Sequence, residues 1–122
     1  MRRPAGLNPF LGVSRTEQQR LQTVANLALL ELHDGHADQA LVDLQAVVVV
    51  VRELLQSYHV EDGRQAVLQA AGALESVRQG KGSHADAAAV CAPLVEVFSD
   101  LLRVVTLKRL RAAQDAARRA VA

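Results

Sequence analysis

Four histidines, His33, His36, His59 and His84, all fall where helices are expected to end. In an up-down-up-down bundle the first and third turns share one end. His33, His36 and His84 would then gather beside Asp34, Asp38 and Asp86, and imidazole with carboxylate is a ligand set for zinc or a similar divalent ion. Their spacing matches no zinc motif. The plain expectation is therefore no metal, with these residues acting as caps and solvated turn positions. Cys91 is the single cysteine and cannot form an internal disulfide, which points to a reducing, cytoplasmic setting. It lies in an Ala-rich stretch two residues before Pro93 with no activating group beside it in sequence, so a buried structural thiol is expected. A Gly-rich phosphate loop, a nucleophile elbow and a paired-Cys motif are all missing. No acid, base and nucleophile can be grouped, so the sequence reads as a non-enzyme that needs no cofactor.

Charge is the stronger signal. The net charge is +1, but residues 1–20 carry +3, residues 21–100 carry −7 and residues 101–122 carry +5. An acidic middle between basic ends favours an acidic partner or electrostatic self-association. Arginine outnumbers lysine twelve to two, which fits a GC-rich coding sequence as readily as a need for guanidinium. At the basic end, Lys108, Arg109, Arg111, Arg118 and Arg119 can contact phosphates, as can Arg2 and Arg3. Against nucleic acid stand the near-neutral total, the lack of a helix-turn-helix signature and an aromatic set limited to Phe10, Tyr58 and Phe98. No face of the tail carries Trp, Phe or a continuous Leu stripe, so membrane-surface binding is not expected.

The elements that must position these groups follow from the hydrophobic periods. The 122 residues suit one domain, and with 50% of them apolar there is enough for one core. Residues 1–13 hold two prolines and two glycines and read as an irregular arm. They lack the continuous apolar stretch of a signal peptide. Within the arm, Asn8-Pro9-Phe10 resembles a short adaptor-binding motif, although a turn followed by an anchor residue explains it as well. Residues 14–122 form the expected domain, with helices near 14–33, 37–58, 62–79 and 84–120. Ser14 and Glu17 have the spacing of a capping box, and Ser83 with Asp86 caps the last helix. Asp34-Gly35 and Gly80-Lys81-Gly82 end the first and third helices. Leu27, Leu29 and Leu30 widen the first apolar stripe, which predicts burial on more than one side.

Two segments decide the expected assembly. The run Val47–Val51 leaves the second helix apolar all round its middle, as in a central helix or one facing a second subunit. In the last helix the stripe Leu94, Phe98, Leu101, Val105 then fails: Lys108 and Arg109 fall on its arc, while Leu107 and Leu110 point elsewhere. A helix over 84–120 is about 55 Å long against about 33 Å for the second, so its end should overhang. The expected fold is all-α: an antiparallel four-helix bundle with an irregular N-terminal arm and a long, Pro-kinked, overhanging C-terminal helix. Homodimerisation is expected through Val47, Val48, Val50 and Val51.

The function expected from this layout is a protein–protein interaction module (an adaptor, small chaperone or regulator) that docks its basic C-terminal helix on a partner. Leu107 and Leu110 would be the anchors, with Lys108, Arg109, Arg111, Arg118 and Arg119 as steering charges. Removing residues 107–122 should then spare the fold. The alternatives are a nucleic-acid-binding regulator using the same helix, and a metal- or small-ligand-binding bundle at the His-rich end.

Overall fold

The computed structural model describes residues 11–121. The Asn8-Pro9-Phe10 motif, Arg2 and Arg3 lie outside them. Five helices follow in order: α1 Arg15–His33, α2 Ala37–Leu54, α3 Gly63–Arg78, α4 His84–Val104 and α5 Leu107–Val121. The described fold is all-helical, with one isolated bridge between Gly12 and Thr106 in place of any strand.

The helix starts are set by side-chain caps. Ser14 Oγ accepts from Glu17 N at 3.1 Å, and Ser83 Oγ accepts from Asp86 N at 3.0 Å. The Glu17 carboxylate is engaged by Arg20, at 2.8 and 2.9 Å, rather than serving only as the second half of a capping box. The stops of α1 and α3 share one device. Gly35 and Gly80 sit at φ of 86° and 77°, which lets His36 N reach Glu31 O and Lys81 N reach Ser76 O, both at 2.8 Å. These bonds satisfy carbonyls that a helix end leaves open. Ser14→Ala and Ser83→Ala should each lower stability by ~1 kcal/mol, read as the shift in a urea midpoint. An unchanged midpoint would show that the caps are not holding α1 and α4.

α2 is the hub. It packs against all four other helices, while α1 and α3 each also pack on α4, and α5 lies along α2. This explains the valine belt. Val47, Val48, Val49, Val50 and Val51 are all buried within one chain, between α1, α3, α4 and α5. Val47, Val48, Val50 and Val51, expected at a subunit interface, are covered within the chain, because α5 occupies the place that a second subunit was expected to fill.

The last helix is two helices. α4 runs through Pro93 to Val104 without interruption, and the chain then breaks at Val105–Thr106. Val105 is extended, with φ −75° and ψ 153°, and its buried side chain stays in the core. Thr106 opens α5: its Oγ1 accepts from Arg109 N at 3.2 Å, and its own N donates to Tyr58 Oη at 3.1 Å. Leu107 N donates to Leu11 O at 2.7 Å. The break turns α5 back over α2 instead of letting it overhang. Its stripe Leu110, Ala113, Ala117 is buried, so α5 belongs to the core and is not a dispensable tail.

α1 differs in the opposite sense. Leu27 is 50% exposed and Leu30 61%, because only α2 and α4 pack extensively on this helix. Among the described residues no polar or charged side chain is buried, and the core is Leu, Val and Ala with Cys91 and Phe98. No helix among them is long and apolar enough to cross a membrane.

Candidate functional site

α5 packs little against α1, and the space between them is an open groove of about 370 Å³. Its apolar wall and floor come from four helices: Leu21 and Val24 of α1, Val47 and Val50 of α2, Phe98 of α4 and Ala117 of α5. The groove exists because α5 presents mostly alanine to its neighbours, and Ala113 and Ala117 cannot reach across to α1.

Its rim is cationic. Arg20 from α1 and Arg111 and Arg118 from α5 stand around it, with Asp43 and Gln114 as the other polar neighbours. Glu17 joins the two sides: it is bonded to Arg20, and its Oε2 lies 3.6 Å from Arg111 Nη1. The hydrogen bond from Arg20 holds the Glu17 carboxyl below the usual carboxylate range, and Arg111 adds to this. Arg118 pairs with Asp115 one turn before it on α5. These pairs are exposed, so they orient the guanidinium groups more than they stabilise the fold. A concave apolar surface with a few convergent polar groups is the common form of a binding site.

The basic residues foreseen as one patch are divided by the helix. Arg111 and Arg118 face the α1 groove, while Arg109 and Arg119 border a smaller cleft of about 200 Å³ beside Glu53 of α2 and Ser57 in the turn after it. Lys108 is exposed and lines neither. Leu110 is fully buried and Leu107 half-buried. As anchors for an external partner they are not presented, since the break at Thr106 turns that stripe onto α2. Arg20 and the groove floor were not foreseen. The signal that could have found them was the pairing of a Leu-Val stripe on the first helix with a mostly alanine stripe on the last.

The His-rich end does not assemble a ligand set. His33 Nδ1 lies 3.1 Å from Asp34 Oδ1, and no group of three or more His, Cys, Asp and Glu side chains among the described residues is arranged to hold a metal ion. His33, His36 and His84 are all exposed and are not brought together as ligands. Cys91 is buried, and loss of solvation pushes its thiol up to about 11. Another open cavity, of about 540 Å³, is lined by the α2–α3 connection and the first turn of α3, where Gly63 lets the chain pass close to Leu55: an added Cβ would meet the Leu55 Cδ2 at 3.0 Å. Its one hydroxyl anchored to another element, that of Tyr58, holds Thr106.

Compared with protein-family models, curated proteins and solved structures, the chain matches none.

Proposed function

We propose that the protein is a non-enzymatic interaction module whose groove between α1 and α5 receives an acidic, amphipathic helical segment of a partner protein. The observation that carries this is the combination of the apolar floor at Val24, Val47, Val50 and Phe98 with the three rim arginines Arg20, Arg111 and Arg118. An apolar helix face fills such a groove, and carboxylates along its edges meet the guanidinium groups. Charge steers the encounter and burial holds the complex. The working surface in this reading is the α1 flank of α5, with Lys108, Arg109 and Arg119 adding long-range attraction. The scaffold in this reading is an antiparallel arrangement of α1–α4, with α4 bent at Pro93. The division of the basic residues between two clefts leaves no continuous phosphate-tracking stripe, which favours a protein partner over nucleic acid.

The test is fluorescence anisotropy with labelled amphipathic helical peptides of about three turns, one built on Glu and Leu and one on Lys and Leu. The Glu/Leu peptide should bind, and more tightly than its Lys/Leu counterpart by about tenfold or more. Arg111→Glu with Arg118→Glu should remove that preference, while Arg103→Glu on α4 leaves it intact. Equal binding of both peptides, or none, would end this reading. Binding of a DNA duplex with a steep salt dependence would replace it with the nucleic-acid alternative.

A further inference from the structure

Every other helix connection among the described residues contains a residue in the left-handed region: Gly35 after α1, Asp62 before α3, Gly80 and Gly82 after α3. The α4–α5 connection has none, and it contains neither Gly nor Pro. Nothing local forbids Leu102–Arg109 from continuing as one helix. Beyond the Thr106 cap on Arg109 N, what holds the break is supplied from other parts of the chain: Tyr58 Oη on Thr106 N, Leu11 O on Leu107 N, and the bridge from Gly12.

The element beyond the break is the most separable of the five. α5 packs extensively on α2 alone, and among its described side chains the one large fully buried residue is Leu110. The surface it covers cannot be left bare, because the valine belt lies beneath it. A second copy of the chain offers an identical belt to an identical α5. Exchanging the helix conserves every α2–α5 contact, which is why swapped elements are a low-cost route to a dimer.

We infer that this protein forms a homodimer by exchanging α5: Val105–Thr106 straightens, His84–Val121 becomes one helix, and each α5 lies on the α2 of the other copy. Such a helix is about 57 Å long, enough to carry α5 clear of its own bundle. Val104, 64% exposed in the closed chain, and the half-buried Leu107 are three residues apart and come onto one face of the straightened helix. That face gives the two long helices an apolar crossing point, and it accounts for an otherwise uncovered valine. This inference is independent of what occupies the α1 groove.

The test uses the full chain with Cys91→Ala, in two single variants, Glu53→Cys and Ala116→Cys. These positions border one cleft between α2 and α5. The two variants are unfolded, mixed, refolded at high concentration and treated with a short bismaleimide. A cross-link joining Glu53→Cys of one chain to Ala116→Cys of another is expected, with a dimeric mass by light scattering. Thr106→Ala removes the α5 cap and favours continuous helix, and Tyr58→Phe removes a bond that holds the break. Each should raise the dimer fraction several-fold. Thr106→Pro gives up the bond to Tyr58 but suits the extended Val105 before it, and in a straightened helix it loses the bond to Leu102 O and crowds that carbonyl, so it should lower the cross-link well below that of the wild-type hinge. The inference is overturned if the wild-type hinge, Thr106→Ala and Tyr58→Phe all stay monomeric at millimolar concentration. It is equally overturned if Thr106→Pro, folded by circular dichroism, cross-links as well as the wild-type hinge.

Discussion

Leu110→Ala should cost about 3 kcal/mol of stability, and Leu110→Asp should prevent α5 from docking at all. Leu110 is fully buried, and among the described side chains of its helix the other buried residues are Ala113 and Ala117. Truncating a leucine to alanine removes a transfer free energy and leaves a cavity that the surroundings fill only in part. Here the surroundings are an already close-packed core against which α5 docks, so a gap closes only in part. An aspartate at the same place would put a carboxylate into a core that, among the described residues, holds no buried polar side chain to pair with it. Urea unfolding of Leu110→Ala, compared with the exposed Lys108→Ala, measures the difference. Lys108→Ala should stay within about 0.5 kcal/mol of the parent. If Leu110→Ala does so too, α5 does not dock on α2 as described. For the same reason, a chain cut at residue 106 should lose stability and bind apolar dyes, rather than fold normally and lose only its partner.

Cys91 gives the second large effect. Its thiol is buried and is pushed from about 9 to about 11 by loss of solvation. At pH 8 this cuts the thiolate fraction about a hundredfold before access is considered, and the thiolate is the reacting species. Ellman's reagent should therefore modify the folded protein at least a hundredfold more slowly than the urea-unfolded chain. The same shift sets a pH dependence. Below pH 9 the thiol is protonated in both states and contributes no slope. Between 9 and 11 the unfolded chain loses the proton and the folded one keeps it, so stability falls as pH rises, by roughly 2–3 kcal/mol over the full span. Denaturant midpoints at pH 8 and pH 10.5 for the parent and for Cys91→Ala isolate the thiol. An identical alkaline decline in both proteins would show that Cys91 is not its cause.

Most of the helical layout was legible in the sequence, because caps and glycine stops act over three or four residues. Ser14, Gly35, Gly80 and Ser83 all stand where the helix ends lie. α2 stops at Leu54 rather than near Tyr58, since the chain turns there to bring the tyrosine hydroxyl to Thr106. The break at Val105 was visible only as a fault in phase. The stripe that ends at Val105 and the offset Leu107 and Leu110 are the end of one helix and the start of another, yet a phase slip with no Gly or Pro also reads as a core face running out. The bonds that decide between the two come from residues 11 and 58. The same long-range fact hid the groove. Arg20 and Arg111 stand on opposite sides of it only because α5 folds back, so a tail assumed to overhang could not show what it would lie beside.

The order in which the chain is made adds a consequence to the place of α5. The valine belt belongs to α2, but part of its cover is α5, and all of α3 and α4 is synthesised between them. At about 5–20 residues per second, the belt waits some seconds after it leaves the ribosome before its last wall exists. During that interval the nascent chain carries an uncovered apolar strip, the kind of transiently exposed surface along which incomplete chains associate.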